Sequence, residues 1–190
     1  AMHDCDASSI KINKLFADEG LDLGLADGDN WDKLEAIKYM LTISSNDMAN
    51  MIADTCGGTN RFVAQMNDNS KAMNLGILFY NPSGLDIVSS DTQEGEVTQT
   101  PGAIGTASDI AKMLAIASEE YPEIYDATTY THNNFESNER RVSGVANTNE
   151  SIAIIRGATL SKTGTTDLAG GNLGVVYNEG LNRKIVILVL

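Results

Sequence analysis

The chain changes from helical to strand-like patterning about two thirds of the way along, and this ordering constrains the fold more than any other feature. From Trp31 onwards, apolar residues such as Leu34, Ile37 and Leu41 recur at helical spacing. From about Ala158 the pattern is that of strands, with runs at 160–163, 173–177 and 184–190. Helices followed by antiparallel strands predict an α+β fold, a helical cluster packed on an antiparallel sheet, and disfavour a doubly wound parallel sheet.

Turn and capping residues divide the helical part into separate segments. The first helix is predicted to begin at Asp29 or Asn30 and to break at residues 44–46, where two serines and an asparagine interrupt the apolar period. Gly57 ends the second helix, and the third runs from about residue 59 to 75. A fourth helix opens at Thr106 and closes at Pro122, and a short strand is predicted at residues 8–12.

The length and charge of the chain exclude several classes of protein. Its 190 residues suit a single domain, 1–190. A net charge of −13 repels polyphosphate, so a nucleic-acid partner is not expected, and an anionic membrane surface is disfavoured for the same reason. No apolar stretch reaches the roughly 18–20 residues of a membrane-spanning helix. Any membrane attachment would therefore come from segments absent from this chain.

The few cysteines and histidines limit the chemistry that is available. Cys5 and Cys56 are the only cysteines, too few for a disulfide scaffold or a four-thiolate zinc site, and no metal is expected. Whether they bond to each other cannot be decided from the sequence, and the favoured interpretation for each is a small buried residue or an unreactive thiol. With His3 near the terminus, a Ser-His or Cys-His mechanism would depend on His132.

Two short clusters combine groups that can bind a carboxylate and relay a proton. The first is Ser44-Ser45-Asn46, which offers hydroxyls and a carboxamide at the helix break. The second is Lys162-Thr163-Gly164, which offers an ammonium, a hydroxyl and a backbone that a ligand can approach closely, because glycine has no side chain. Ser-x-x-Lys, Ser-Asp-Asn and Lys-Thr-Gly are the motifs of penicillin-binding proteins and class A β-lactamases.

Five blocks in this order resemble the low-molecular-mass penicillin-binding proteins of the D-alanyl-D-alanine carboxypeptidase type. They are residues 31–49 (WDKLEAIKYMLTISSNDMA), 58–76 (GTNRFVAQMNDNSKAMNLG), 81–86 (NPSGLD), 106–113 (TASDIAKM) and 160–173 (LSKTGTTDLAGGNL). The resemblance implies a β-lactamase/transpeptidase-like fold and acyl-serine chemistry on peptides ending in D-Ala-D-Ala. It implies no metal and no organic cofactor.

The resemblance also implies a role for each matching residue. Ser44 corresponds to the serine that passes a proton between the nucleophile and the leaving amine. Asn46 corresponds to the asparagine that binds the substrate amide and holds the active-site lysine. Lys162 adds positive potential at the site, and Thr163 binds the terminal carboxylate of the substrate.

Two further residues of the same strand are implied to bind substrate. Gly164 lets the peptide lie along the strand edge, where main-chain hydrogen bonds extend the sheet. Thr165 is the other residue of the block that is expected to contact the substrate.

The nucleophile of the family lies in a Ser-x-x-Lys motif at the start of a buried helix, and here the chain departs from the pattern. Its candidate is Ser8-Ser9-Ile10-Lys11, but the spacing to Ser44 is shorter than in the family, and the segment better matches the short strand before the second-serine helix. We therefore expect a fragment that begins after the nucleophile helix and ends before the terminal helix that would cover residues 184–190, leaving open whether Ser8 and Lys11 replace the missing motif.

The sequence is compatible with three functions. The leading one is a serine D-Ala-D-Ala carboxypeptidase domain that acts outside the cytoplasm, in the cell envelope or secreted, on peptidoglycan stem peptides and binds β-lactam antibiotics. The second is a β-lactamase-like hydrolase, and the third is a non-catalytic homologue or fragment that binds cell-wall peptide. The sequence predicts that Ser44, Asn46, Lys162 and Thr163 line one groove, with the hairpin completed by residues 184–190 behind it.

Overall fold

Five helices and a set of antiparallel strand pairs make up the part of the chain that the computed structural model describes, residues 5–17, 22–90, 97–180 and 183–190. The helices are α1 (Lys33–Ile43), α2 (Asn46–Thr55), α3 (Thr59–Ala72), α4 (Ala107–Glu120) and α5 (Pro122–Tyr125), with 3₁₀ turns at Lys14–Phe16, Asp126–Thr129 and Ile152–Ile154. The strands are β1 (Ser9–Lys11), β2 (Asn30–Asp32), β3 (Leu78–Phe79), β4 (Ile87–Ser90), β5 (Val97–Thr100), β6 (Ala103–Ile104), β7 (His132–Glu136), β8 (Arg141–Ala146), β9 (Ala158–Thr166), β10 (Gly170–Asn178) and β11 (Lys184–Val189).

The first helix begins later than the sequence predicts. Residues 30–32 form β2, which pairs antiparallel with β1, and the Asp32 carboxylate then caps α1 by accepting from the backbone N–H groups of Leu34 and Glu35. Trp31 is completely buried in this strand pair, in the main core cluster. The prediction of a helix start at Asp29 or Asn30 is therefore wrong, because strand pairing with a distant segment overrides the local capping signal.

The predicted break between the first two helices is confirmed. Ser44 ends α1 in the left-handed conformation (φ 59°, ψ 42°), and Ser45 caps α2 by accepting from the Met48 N–H. The third helix ends at Ala72 rather than near residue 75, because Asn74 also takes a positive φ of 53°. Thr106 caps α4 as predicted, while Pro122 opens α5 directly after it.

The three predicted strands near the C-terminus form one antiparallel sheet with the order β11-β10-β9, so β9 lies at its edge. Helix α4 packs on one face through Leu114, which meets Leu160 and Val176 in a second core cluster. A Cβ on Gly174 of β10 would lie 2.6 Å from the Leu114 Cδ1 atom, so glycine is what allows the helix to approach so closely. The predicted α+β arrangement is confirmed.

The last strand is covered on one face only. Val186 and Leu188 pack toward the α4 cluster, whereas Ile187 and Val189 are 50% and 57% exposed. Six consecutive apolar residues predict a strand covered on both faces. Among the residues that the structure describes, none closes off the second face.

A hairpin and a disulfide are further features that the sequence did not predict. The polar segment around residues 132–146 forms the hairpin of β7 and β8, and Arg140 ties this hairpin to the residue before β2 through a 2.6 Å ion pair with Asp29. Cys5 and Cys56 are both buried, as the favoured interpretation expects, and they form a disulfide, which the sequence alone left undecided. Their meeting depends on the packing of β1 against α2, which no local pattern encodes.

Within the described residues, no helix is long and apolar enough to cross a membrane.

Candidate active site

The turn between α1 and α2 presents Ser44 in an unusual backbone conformation. The left-handed region costs an L-residue roughly 1–2 kcal/mol, and such outliers concentrate at functional sites. The Ser45 N–H donates to the Met40 carbonyl across this turn, which terminates α1. The turn therefore holds the Ser44 side chain at the junction of the two helices.

Lys162 of β9 reaches this turn from the other side of the site. Its Nζ donates to the Ser44 Oγ over 2.7 Å and to the Thr163 carbonyl over 2.6 Å. Burial lowers the pKa of Lys162 from 10.5 to about 8, because desolvation disfavours the charged ammonium. A substantial fraction of Lys162 is therefore neutral near pH 8, and in that form the amine can accept a proton.

A cavity of about 600 Å³ opens beside this contact. It is lined by Ser44, Thr148, Thr163, Gly164, Thr165, Gly171, Asn172, Leu173 and Val189. Four of the residues singled out in the sequence, Ser44, Thr163, Gly164 and Thr165, thus share one cavity, and Lys162 joins them through its bond to Ser44. The end of β11 also lines the cavity through Val189, so the expectation that this hairpin lies away from the groove is wrong.

Asn46 occupies a different position from the other site residues. It is the first residue of α2 and is half-buried, and it is not among the described residues that line the cavity. Its implied role in binding the substrate amide stays a prediction.

Thr148 lines the cavity and was not found by sequence reasoning. The Thr163 hydroxyl donates to the Thr148 Oγ1 over 2.6 Å, and the Thr148 N–H donates to the carbonyl of Thr42, near the end of α1, over 3.1 Å. Thr148 is exposed but stands between two buried residues, Asn147 and Asn149. That Asn-Thr-Asn pattern was the available signal, since buried asparagines usually hold a loop in place through hydrogen bonds.

Both asparagine side chains are hydrogen-bonded behind Thr148. The Asn147 amide donates to the carbonyls of Thr128 and Tyr130, and its oxygen accepts from the Asn149 N–H. The Asn149 amide donates over 2.7 Å to the hydroxyl of Ser161, which is next to Lys162 on β9. Because unpaired buried amides are costly, this network favours a single loop conformation.

A second network lies beneath the Ser44 turn. The Ser45 hydroxyl, which caps α2, also donates to the Asp22 carboxylate, and the Asp22 N–H donates to Asp47 over 3.0 Å. Burial, followed by the negative charges of Asp22 and Asp47, raises the pKa of Tyr39 well above its usual range. The hydroxyl of Tyr39 therefore stays protonated and donates to the Leu23 carbonyl.

The Ser8-x-x-Lys11 segment does not open a helix. Residues 9–11 form β1, in which Lys11 pairs with Asn30, as the strand prediction for residues 8–12 requires.

Among the described residues no group of histidine, cysteine, aspartate or glutamate side chains is arranged to hold a metal ion.

Solved structures define the class of this fold. The chain resembles a D-alanyl-D-alanine carboxypeptidase from Mycobacterium tuberculosis, with a TM-score of 0.75 and 22% identity over 96% of this chain and 64% of that one. Penicillin-binding protein D2 from Listeria monocytogenes, solved with cefotaxime bound, matches with a TM-score of 0.73 and 22% identity, over 95% of this chain and 68% of that one. Penicillin-binding protein 5 from Haemophilus influenzae matches with a TM-score of 0.72 and 20% identity, over 98% of this chain and 51% of that one. The fold is therefore that of penicillin-binding proteins.

The family follows from the sequence itself. Residues 8–190 match the D-alanyl-D-alanine carboxypeptidase family, peptidase S11, and the chain belongs to that family. The resemblance drawn from the five sequence blocks is thereby confirmed. No curated protein sequence matches the chain significantly. The chain spans 64% of the M. tuberculosis enzyme and about half of the H. influenzae protein.

Proposed function

We propose that this chain is the substrate-binding part of a serine-type D-Ala-D-Ala carboxypeptidase that acts on peptidoglycan stem peptides and binds β-lactam antibiotics. The observation that carries the proposal is the 2.7 Å contact between Lys162 and Ser44 beside the hydroxyl of Thr163. An ammonium, two hydroxyls and an accessible strand edge at one cavity suit the capture of a peptide carboxylate by a protein of net charge −13.

In the proposed mechanism a serine nucleophile attacks the penultimate D-Ala carbonyl, the terminal D-Ala leaves as its amine is protonated, and water then releases the shortened peptide. Ser44 relays the proton to the leaving amine, and Lys162, with its lowered pKa, exchanges a proton with Ser44. Thr163 and Thr165 bind the terminal carboxylate. Gly164 lets the substrate backbone pair with β9, and Asn46 binds the substrate amide.

We propose that the nucleophile itself lies on a helix outside this chain. An apolar cavity of about 590 Å³ supports this, since it is lined by residues of α1, α2, α3, α4 and α5. Leu41 on its wall is three residues before Ser44, so the cavity extends to the last turn of α1 before Ser44. A helix carrying Ser-x-x-Lys at that end of the cavity would complete the site.

The proposed setting is outside the cytoplasm. The disulfide between Cys5 and Cys56 supports it, because disulfides persist mainly in oxidising compartments.

Mass spectrometry after incubation with penicillin tests this function. This chain should show no covalent adduct, whereas a longer chain that includes the upstream coding sequence should be acylated at the serine of its Ser-x-x-Lys motif. In that longer chain Lys162→Ala should slow acylation about tenfold or more, since a hydrogen bond to a charged group contributes about 1.5–3 kcal/mol. Lys112→Ala, at an exposed position on α4, is the matched control. An adduct on Ser8 would instead contradict the external nucleophile.

A second candidate is a non-catalytic protein that binds cell-wall peptide. The position of Ser8 and Lys11 next to or in a strand favours it, because the chain then holds a binding surface without a nucleophile. The absence of a Ser-x-x-Lys motif from the upstream coding sequence would select this candidate. Rapid turnover of a chromogenic cephalosporin by the longer chain would instead indicate a β-lactamase.

A further inference from the structure

Thr148 is an exposed residue whose position is set by buried ones. Its neighbours Asn147 and Asn149 are 7% and 5% exposed, and their amides bond to the carbonyl of Thr128 and the hydroxyl of Ser161. An exposed side chain on a loop held so firmly from behind is pre-organised to meet a ligand, because little conformational entropy remains to be lost on binding.

The hydroxyl of Thr148 lies beside that of Thr163 at the wall of the cavity. Their oxygens are 2.6 Å apart, so both hydroxyls can reach the same carboxylate group. In this structure Thr163 donates to Thr148, and Thr148 directs its own hydroxyl toward the Thr42 carbonyl at 3.5 Å, which is a weak hydrogen bond. Both hydroxyl protons can therefore rotate toward an anion without breaking a strong bond other than the one between them.

The charge of the surroundings makes a second donor useful. The Lys162 ammonium is directed at Ser44 and at the Thr163 carbonyl rather than into the cavity, so it contributes potential more than direct hydrogen bonds. Hydrogen bonds from neutral hydroxyls to a carboxylate are charge-assisted and stronger than bonds between neutral groups.

We propose that Thr148 is a second carboxylate-binding residue, which shares the terminal carboxylate of the substrate peptide with Thr163. Each hydroxyl donates to one carboxylate oxygen, and the Thr148 N–H keeps its bond to Thr42, so the loop does not move. This inference rests on the proposed function, since it takes Thr163 as a carboxylate ligand. According to this inference, the loop at 147–149 and the strand β9 together select peptides that end in a free carboxylate.

A comparison of the affinities for a peptide acid and for its C-terminal carboxamide distinguishes carboxylate binding by Thr148 from a purely structural role. The probes are N-acetyl-D-alanyl-D-alanine and its C-terminal carboxamide, each titrated into the isotope-labelled chain and followed by amide chemical shifts. The unaltered chain should bind the acid about tenfold more tightly than the carboxamide. Thr148→Val should abolish most of this preference, and Thr148→Ser should keep it. Valine preserves the shape and the backbone bond to Thr42, and a dispersed spectrum verifies the fold.

Thr163→Val distinguishes failure of this inference from failure of the proposed function. If Thr163→Val loses the preference and Thr148→Val keeps it, the carboxylate is bound by β9 alone and the role of Thr148 is refuted while the function stands. If the unaltered chain binds neither probe, or binds both equally, the proposed function fails and this inference fails with it.

Discussion

Lys162 donates a hydrogen bond to Ser44 across 118 positions of the chain, with 2.7 Å between Nζ and Oγ. One partner lies at the edge of the three-stranded sheet and the other in the turn between two helices. The bond therefore joins the helical part of the fold to the sheet, and the cavity of about 600 Å³ opens beside it. Its chemistry can be tested through the proton on Lys162.

The side chain of Lys162 should titrate near pH 8, because its burial lowers the pKa to about 8 from 10.5. Between pH 8 and pH 10.5, Lys162 has lost its proton in the folded chain but still holds it in the unfolded chain. The free energy of unfolding should therefore rise as the pH increases from 8 to 10.5. An NMR titration of the lysine side chains measures the first quantity, and urea unfolding at several pH values measures the second. Lys162→Met should remove the extra rise, and a midpoint above pH 10 would show that the amine is solvated.

Replacement of Ser45 by alanine should destabilise the chain by about 1 kcal/mol, because it removes the cap of α2. It also removes the donor to Asp22 beneath the Ser44 turn, so we expect the turn to loosen and Lys162 to become more solvated, which moves its pKa back toward 10.5 because burial is what lowers it. Urea unfolding and the lysine titration check the two effects.

Thr106→Ala is the matched control for Ser45→Ala. It removes a similar hydroxyl cap from α4, which does not carry the Ser44 turn. A comparable loss of stability with an unchanged Lys162 midpoint is expected. If Lys162 titrates with the same midpoint in both variants, Ser45 does not position the Ser44 turn against Lys162.

Reduction of the disulfide between Cys5 and Cys56 should lower the free energy of unfolding by about 4 kcal/mol. The estimate follows from the entropy of closing a loop with a sequence separation of 51 in the unfolded chain. Urea unfolding with and without dithiothreitol measures it. The Cys5→Ala/Cys56→Ala double variant should match the reduced protein and be insensitive to reductant, and a response of that variant to dithiothreitol would attribute the effect to something else.

Gly174→Ala should destabilise the chain by about 1–3 kcal/mol, because the new Cβ would lie 2.6 Å from the Leu114 Cδ1 atom in a packed cluster. Gly171→Ala on the same strand is the control, since a Cβ there meets no described atom within 4 Å. Thermal unfolding compares the two. Leu114→Val in the Gly174→Ala background should recover part of the loss, and an equal effect of both glycine substitutions would show a general glycine effect rather than this contact.

Local features of the sequence were sufficient to predict the break at residues 44–46, the α4 cap at Thr106 and the three C-terminal strands. Each depends on interactions within a few residues, such as capping, apolar period and turn chemistry, and these act in the same way in most folds. Where a distant segment competed, prediction failed. Asn30 looks like a helix start, but pairing with Lys11 makes it a strand.

The sequence by itself determined which groups are available for chemistry, namely the Ser44-Ser45-Asn46 turn and the Lys162-Thr163-Gly164 strand, together with the α+β order of elements. Only the tertiary structure decided that Lys162 meets Ser44, that Cys5 bonds to Cys56 and that Thr148 stands beside Thr163. These contacts join residues whose separation is set by the packing of whole helices on the sheet. Burial also lowers the pKa of Lys162, and burial is a property of the surrounding fold rather than of the residue.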